Sequence, residues 1–371
     1  MNKKTIRVLI VDDSVVVRQL ISDALCADPE IEVAGMAANG RIALEQLEKV
    51  EVDLILLDLE MPEMDGLALL DALKQRGIRL PTVVFSSMSE RGASATMEAL
   101  TRGASDYVSK PTGQKNMNAT LTRIREELIP RVHALGARDR TPIAPAAPAR
   151  SSSSSATMRR VEVRPPGERP KVIVIGVSTG GPSALSDLVL ALPGDFSVPV
   201  LIVQHMPPVF TKALAARLAQ GAKLAVCEAI HQQPLQAGTA YLAPGDYHMR
   251  IAGGVREPWI ALGQEAKENG CRPAVDPLFR SAAATFGAQV LALILTGVGS
   301  DGARGAAEVR RAGGQVWVQD RATCAASGMP SAVVDAGLCD RELTLARMSS
   351  ALLAAVGVGA GQKSPERKVV P

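Results

Sequence analysis

Hydrophobic positions in the first third of the chain fall into short runs separated by longer amphipathic stretches. The runs cover 7–11, 31–37, 54–57, 82–85 and 106–108, and amphipathic stretches follow near 14–27, 39–49, 66–76, 90–102 and 116–132. Short continuous apolar runs are typical of strands buried on both faces, whereas the longer patterns are typical of helices. Five strands alternating with five helices predict a doubly wound α/β domain with a parallel sheet.

A second series of apolar runs begins at residue 171. Runs at 171–177, 200–204 and 291–295 alternate with helical stretches, and a Gly-rich turn separates the first run from a helix that opens near Pro182. The region 223–262 predicts short strands with turns and is a candidate for a hairpin insertion. The pattern favours a second doubly wound α/β domain with a mostly parallel sheet.

Composition changes between the two series. The segment 134–169 is rich in Ala, Pro, Ser and Arg, and it has almost no large apolar residues. Such a segment buries too little surface to offset its ordering entropy, which predicts a flexible linker. The predicted organisation is a domain at 1–133, this linker, a domain at 170–358 and a disordered tail at 359–371. The first domain is acidic (16 basic and 20 acidic residues) and the linker is basic (7 and 3).

Overall composition bears on whether the chain is disordered, binds nucleic acid, enters a membrane or is secreted. Of the 371 residues, 47% are hydrophobic and 21% charged, which excludes a wholly disordered chain. A net charge of +3 and 3% aromatic residues give no support to a nucleic-acid binder. No apolar run approaches the ~20 residues of a membrane span, and Asp12 and Asp13 interrupt the first one, so neither membrane insertion nor a signal peptide is expected. Five cysteines without a C-x-x-C pair favour reduced thiols and a cytoplasmic location.

Chemically active side chains follow four strands of the first domain. Asp12 and Asp13 end the first strand, Asp58 ends the third, and Ser86 and Lys110 follow the fourth and fifth. The carboxyl ends of parallel strands share one edge, so these groups are expected to converge. Each acid alone could be a turn former or a helix cap. Three together need a cation, and oxygen ligands suit Mg²⁺, beside which a carboxylate can accept a phosphoryl group.

This pattern resembles the receiver domain of two-component response regulators over about residues 1–130. The resemblance is carried by Asp12-Asp13, Asp58, Met61-Pro62, Asp65-Gly66, Ser86 and Lys110-Pro111. It implies that Asp58 is the phosphoacceptor and that Asp12, Asp13 and Asp58 hold Mg²⁺. It also implies that Ser86 and Lys110 contact the phosphoryl group and that Tyr107 is the aromatic switch residue.

A Gly-rich turn carries a candidate nucleophile in the second domain. The run Gly176-Val177-Ser178-Thr179-Gly180 has the form G-x-S-x-G between a buried strand and a helix, which is the context of a nucleophile elbow. The glycines allow a tight turn, and the helix N-terminus offers N–H groups to an oxyanion. Turns of this kind also cradle dinucleotide phosphates, so that alternative stays open, although G-x-G-x-x-G is absent.

A serine nucleophile needs a base. His205 directly follows the strand at 200–204, at the sheet edge expected for Ser178. His133 adjoins the linker and is expected to be solvated. His231 and His248 fall in the short-strand region, where His248 is a lesser candidate.

The third member of such a site is a carboxylate that orients the base. Asp301 stands at the end of the strand that begins at 291, and in isolation it could be a helix N-cap. Asp276 and Asp320 are alternative acids. The order Ser, His, Asp along the chain differs from the Ser, Asp, His order of α/β-hydrolases, so that fold is not expected.

Together these residues resemble the catalytic domain of chemotaxis protein-glutamate methylesterases, the CheB family. The resemblance covers about 171–355 and is carried by 176–182, 204–208, 243–246, 295–302 and 328–330. It implies a triad of Ser178, His205 and Asp301, with Thr179 at the active site. The family's oxyanion contact is a backbone amide at a Met position, which is Val298 here.

The resemblance implies a phosphorylation-regulated hydrolase in chemotaxis signalling. Its substrates would be glutamate γ-methyl esters, and also glutamines, on the cytoplasmic helices of methyl-accepting chemoreceptors, and methanol would leave. A chemotaxis histidine kinase would be the phosphodonor, with Mg²⁺ in the receiver and no cofactor for the esterase. The alternatives are a response regulator whose output domain binds a nucleotide or DNA. No helix-turn-helix pattern or basic recognition helix is apparent in 170–371, so nucleic acid is not an expected partner.

Overall fold

The computed structural model describes residues 5–110, 117–136 and 168–357. Most of the predicted linker, and the predicted tail at 359–371, lie outside these residues. Residues 134–136, which composition assigned to the linker, form the last turn of a helix instead, because Leu135 is buried against the first domain.

The first domain alternates strands and helices as predicted. Its strands are β1 (Ile6–Val11), β2 (Ile31–Ala37), β3 (Leu54–Leu57), β4 (Thr82–Ser86) and β5 (Asp106–Ser109). Its helices are α1 (Val15–Leu25), α2 (Gly40–Leu47), α3 (Gly66–Gln75), α4 (Glu90–Arg102) and α5 (Met117–Gly136). The strands form one parallel sheet in the order β2-β1-β3-β4-β5.

Local sequence explains where these helices begin. The side chains of Ser14, Asn39, Asp65 and Ser89 each accept a backbone N–H from the first turn of α1 to α4, respectively. Side-chain oxygen caps satisfy N–H groups that have no partner within the helix. Strand β3 is buried on both faces because helices cover both sides of the sheet, so every one of its residues is apolar.

The second domain is also doubly wound. Its strands are β6 (Val172–Val177), β7 (Val200–Gln204), β8 (Ala225–Glu228), β9 (Thr239–Leu242), β10 (His248–Ala252), β11 (Trp259–Gly263), β12 (Val290–Ile294), β13 (Gln315–Gln319) and β14 (Arg341–Leu343). Its helices are α6 (Gly181–Leu190), α7 (Pro208–Gly221), α8 (Val275–Phe286), α9 (Ala303–Arg311), α10 (Gly328–Asp335) and α11 (Leu345–Val356).

Seven of these strands form a parallel sheet in the order β14-β13-β12-β6-β7-β9-β8. Strands β10 and β11 pair as an antiparallel hairpin, separate from the seven-stranded sheet, within the region predicted to hold one. The α/β class and the parallel sheets are confirmed. The sequence pattern did not predict β13 and β14, which extend the sheet beyond β12.

The two domains pack on each other through α4 and α7. Met97 and Leu100 of α4 belong to the same buried apolar cluster as Leu214 and Leu218 of α7. Among the described residues no helix is long and apolar enough to cross a membrane. The carboxyl edges of both sheets carry the polar side chains singled out from the sequence.

Candidate active site

Strand register brings the three predicted triad residues to one edge of the second sheet. Strand β6 lies between β7 and β12, with Val177 opposite Gln204 and Gly176 opposite Ile294. Ser178 and His205 therefore leave neighbouring strands at the same level. The backbone N–H of His205 donates to the Val177 carbonyl at 3.1 Å, which fixes the two strand ends against each other.

His205 and Asp301 are directly hydrogen-bonded. The distance from His205 Nε2 to Asp301 Oδ2 is 2.7 Å; Asp301 is buried, and the His205 side chain is 11% exposed. Burial lowers the pKa of the imidazole, but the hydrogen bond to Asp301 and the neighbouring Cys271 thiol outweigh it, so the pKa is raised above its ordinary value. Because Nε2 faces an acceptor, Nδ1 is the ring nitrogen left to take a proton.

The backbone holds the Asp301 carboxylate in its ionised form. Its oxygens accept the N–H groups of Val275 (2.7 Å) and Asp276 (3.1 Å), the first residues of α8, and of Gly302 (2.9 Å). Burial raises the pKa of this carboxyl, but the His205 bond and these N–H donors lower it below its ordinary value. The carboxylate thus serves as the cap of α8, whose own N-cap residue, Ala274, has no side-chain bond to offer.

A tight turn carries Ser178. Gly180 has φ +75°, which favours glycine, and it is the N-cap of α6. The Gln204 amide donates to the Ser178 carbonyl at 2.9 Å, and the Thr296 hydroxyl donates to the Thr179 carbonyl at 2.8 Å. Neighbouring strand ends therefore tie the turn down on both sides, and Ser178 lies at the N-terminus of a helix.

The loop between β12 and α9 packs closely on Ser178. A Cβ added at Gly297 would lie 2.9 Å from the Ser178 Cβ and would collide with the Met329 sulfur, so only glycine fits. Val298, the predicted oxyanion contact, is the next residue and is partly exposed in the same loop.

The other candidate histidines lie elsewhere. His248 is fully buried and bonded by both ring nitrogens, to the Ala266 carbonyl and the Ala274 N–H. His133, expected to be solvated, is instead half-buried, and its Nε2 lies 2.8 Å from Asp28 because α5 packs beside α1. His231 accepts the Leu262 N–H. None of the three contacts the Ser178 turn through these bonds.

The alternative acids also have other roles. Asp276 accepts the Gly305 N–H at 2.7 Å, at the start of α9. Asp320 accepts the Ala322 N–H and caps a short 3₁₀ turn. Of the three acids, it is Asp301 that bonds His205.

The first sheet carries a second polar site at its own carboxyl edge. The carboxylate oxygens of Asp12, Asp13 and Asp58 lie within 4.8 Å of one another. Lys110 Nζ lies 3.0 Å from Asp12 and 2.8 Å from Asp58. The Ser86 hydroxyl donates to the Gly92 carbonyl at 3.1 Å and lines a small cavity with Asp58 and Lys110.

Electrostatics at this site are dominated by burial and by Lys110. Burial raises the pKa of Asp58, and the Lys110 hydrogen bond only partly counters it, so the pKa stays above its ordinary value. Burial lowers the pKa of Lys110, but the bonds to Asp58 and Asp12 outweigh it and raise the pKa. The carboxylate oxygens suit a hard cation. The hydroxyl and the ammonium beside them suit a phosphoryl group.

Tyr107, the predicted switch residue, lies at the junction of the domains. It is buried and stacks on Phe210 of α7. One cavity is lined both by first-domain residues, including Tyr107 and Arg123, and by second-domain residues, including His205 and Arg272. The first domain therefore adjoins the second beside His205, at a cavity that both domains line.

Two residues beside His205 and Asp301 were not predicted from the sequence. Asn269 donates its side-chain N–H to Asp301 Oδ1 at 2.7 Å, and Cys271 lines the same cavity as His205. Both belong to a short turn outside the predicted strand ends. The Asn269-Gly270 dipeptide, which is a strong turn signal, could have drawn attention to this segment.

Two family models match this chain, one in each domain. The family model described as CheB methylesterase matches residues 173–352, and the model described as response regulator receiver domain matches residues 8–122. The catalytic domain of Thermotoga maritima CheB methylesterase is 39% identical in sequence, covering 50% of this chain and 98% of that one with a TM-score of 0.49. The response regulator domain of Thermotoga maritima CheB is 32% identical, covering 37% and 99% with a TM-score of 0.33.

Relatives of known name match over nearly the whole length. A protein-glutamate methylesterase/protein-glutamine glutaminase of a Nocardioides species is 48% identical over 351 residues, which is 94% of each chain. The protein of the same name from Trichodesmium erythraeum is 42% identical over 355 residues, 95% of this chain and 99% of that one. The chain therefore belongs to the CheB methylesterase family, with a response regulator receiver domain in front of the catalytic domain.

Proposed function

We propose that this chain acts as a protein-glutamate methylesterase and protein-glutamine glutaminase through a triad of Ser178, His205 and Asp301. The observation that carries the proposal is the 2.7 Å bond between His205 Nε2 and Asp301, at the strand end next to an elbow serine. The substrates would be glutamate γ-methyl esters and glutamines on the cytoplasmic helices of methyl-accepting chemoreceptors. This assignment draws on the names of the full-length relatives.

In the acylation step, Ser178 Oγ attacks the side-chain carbonyl carbon of the substrate while its proton passes to His205 Nδ1. Asp301 stabilises the imidazolium that forms. N–H groups at the N-terminus of α6 and the Val298 amide would receive the negative charge on the carbonyl oxygen. The imidazolium then returns the proton to the leaving oxygen, so that methanol departs and an acyl-enzyme remains.

In the second step a water molecule replaces the alcohol. His205 takes one proton from the water as its oxygen attacks the acyl carbon, and the Ser178 oxygen leaves with that proton. The product is a glutamate side chain, which ionises at neutral pH. A glutamine follows the same route, with ammonia as the leaving group.

The first domain would control this chemistry by phosphorylation of Asp58. Lys110 and Ser86 are placed to contact phosphoryl oxygens, and a chemotaxis histidine kinase would be the donor. Asp12, Asp13 and Asp58 would hold Mg²⁺, which would neutralise charge on the transferring group. The position of first-domain residues around the cavity that His205 lines supports an inhibitory role for the unphosphorylated receiver.

A fluorophosphonate that reacts with activated serines tests the assignment. We expect the probe to label the chain at Ser178 and to abolish release of methanol from a methylated receptor fragment, whereas S178A is neither labelled nor active. Binding of a dinucleotide by a chain that is not labelled would favour the nucleotide-binding alternative and would overturn this proposal.

A further inference from the structure

Two buried carboxylates, Asp301 and Asp276, lie beside the active site. Each accepts backbone N–H groups from the helix to which the other belongs or leads. Asp301 precedes α9 and accepts the first N–H groups of α8, while Asp276 in α8 accepts the Gly305 N–H of α9 at 2.7 Å. Their exposed fractions are 3% and 1%, respectively. Each helix is therefore capped by an acid from the other, which fixes α8 and α9 together where Asp301 meets His205.

The side-chain amide of Asn269 connects the two acids. Its Nδ2 lies 2.7 Å from Asp301 Oδ1 and 2.9 Å from Asp276 Oδ2, so each N–H of one amide donates to one carboxylate. Two anions close together in a buried site repel each other, and donors shared between them favour the charged form of both. Burial and the nearby Asp301 charge raise the pKa of Asp276, and the Asn269 bond acts in the opposite direction.

A rigid turn presents this amide. Asn269 and Gly270 have φ values of +51° and +76°, and Glu268 and Cys271 exchange two backbone hydrogen bonds across them. This is a two-residue hairpin turn with both central residues in the left-handed region, where Asn, Asp and Gly are favoured. Of those three residues, Asn alone carries two side-chain N–H groups. The Arg280 guanidinium of α8 donates hydrogen bonds of 2.6 and 2.9 Å to the Glu268 carboxylate, and these bonds connect the turn to α8.

We infer that Asn269 is a positioning residue for ester hydrolysis: its amide holds Asp301 in the orientation and the charge state that His205 needs. Asn269 bonds Asp301 Oδ1, whereas His205 bonds Oδ2, so the amide acts on the imidazole only through the acid. Asp276 is the second anchor of the same amide. This inference rests on the proposed function, because it concerns the same triad.

The decisive variant is N269G, compared with Q232G as a matched control. Glycine accepts the left-handed backbone of the turn, so N269G removes the amide without straining the chain. Gln232 is also left-handed, with φ +65°, but it is exposed and lies outside the triad's bonds. We expect N269G to lower kcat about 10- to 100-fold with KM nearly unchanged, because a slightly misplaced catalytic group costs rate more than binding. Q232G should behave as wild type, and the rate of fluorophosphonate labelling should follow kcat.

A second variant, N269D, adds a readout that loss of structure alone would not give. Its carboxyl group keeps the turn and donates one hydrogen bond while protonated, but it repels Asp301 and Asp276 once ionised. Its activity relative to wild type should therefore fall as pH rises, whereas the ratio for N269G should stay flat. The other titratable or charged groups around the cluster include His205, His248, Cys271, Glu268 and Arg280, and both variants keep all of them.

The outcomes separate the two proposals. A folded N269G with wild-type kcat overturns the positioning role, and so does a pH-independent N269D if N269G fails to fold. A wild-type chain that is neither labelled nor hydrolytic overturns the proposed function and this inference with it. Reduced kcat at unchanged KM in N269G, with a declining N269D ratio, supports the positioning role.

Discussion

Tyr107 of the first domain stacks on Phe210 of the second, with ring centroids 4.6 Å apart and ring planes inclined by 20°. Phe210 lies in the first turn of α7, five residues after His205. The residue that the receiver resemblance implies to be a conformational switch is therefore in contact with the helix that follows His205, the proposed catalytic base. A movement of the Tyr107 ring would have to disturb this stack.

Removing the Tyr107 ring should loosen the packing of the first domain beside His205. Such aromatic pairs contribute about 0.5–1.5 kcal/mol beyond area burial, which corresponds to roughly a 2- to 12-fold change in an equilibrium. We expect Y107A to raise the basal demethylation rate of the unphosphorylated chain by about that factor. The measurement is methanol release from a methylated receptor fragment.

The matched control for that change is Y107F, which keeps the ring and removes only the hydroxyl. Its basal rate should stay at the wild-type level, because the stack on Phe210 is retained. A Y107A chain that is folded and no faster than Y107F would show that the stack does not restrain access to the catalytic edge.

Loss of the nucleophile should remove catalysis while the fold is kept. Ser178 lies in a turn held by its backbone bonds, so S178A is expected to melt within a few degrees of wild type. Hydrolysis should fall by about 10⁴-fold or more, and adding H205A or D301A should cost little further, since members of a triad act as a unit. Near wild-type turnover by S178A would refute the assignment.

The close packing at Gly297 gives a steric test of the same site. In G297A the new methyl group would meet the Ser178 Cβ and the Met329 sulfur, so the elbow must shift. We expect a loss of activity of at least about 10-fold, because reacting groups tolerate little displacement. G254A is the control, since nothing lies within 4 Å of a Cβ added at that position. Equal activities of the two variants would contradict the predicted role of the loop.

The pH profile should report the bond between His205 and Asp301. A general base must be neutral, and Asp301 raises the pKa of His205, so kcat/KM should increase as pH rises through that raised pKa. In D301N the amide at position 301 carries no charge. The burial that lowers the pKa of His205 remains. The rising limb should therefore move to lower pH, and the plateau should be lower. An unmoved limb in D301N would mean that another group sets it.

Much of the fold follows from local pattern because the strands are buried on both faces. Strand β3 begins and ends at the predicted residues, since the continuous apolar run Leu54–Leu57 has no polar position within it. Strand ends also determine which side chains share an edge. For that reason the sequence predicts that Ser178, His205 and Asp301 share one sheet edge, and the strand register places all three at that edge.

The features that the hydrophobic pattern of the sequence did not predict depend on contacts between distant segments. Asn269 reaches Asp301 across 32 positions from a turn that belongs to no strand end, so neither periodicity nor topology points to it. The short strand β14 is largely exposed, so it lacks the apolar run that marks a strand. The stack of Tyr107 on Phe210 joins two domains across the predicted linker, and no local signal encodes it.

Phosphorylation of Asp58 should raise the esterase rate. Asp58 and Asp12 now share the Lys110 ammonium, and a phosphoryl group on Asp58 would compete for that cation and for the Ser86 hydroxyl. Ser86 ends β4, which pairs with β5 and places Val84 opposite Tyr107, so a shift of Ser86 has a short route to the stack on Phe210. A change of only ~1.4 kcal/mol in the docking of the first domain would alter its equilibrium about tenfold.

The measurement is the demethylation rate of the full chain with and without Mg²⁺ and a small phosphodonor such as acetyl phosphate. We expect the donor to accelerate wild type several-fold only when Mg²⁺ is present, because the three carboxylates would need the cation to admit another anion. D58N should keep the basal rate and ignore the donor, and Y107A, with its stack already lost, should gain less than wild type. A D58N chain that responds like wild type would place the phosphorylation elsewhere. Equal rates under all conditions would leave the first domain a role in targeting rather than in control of access to His205.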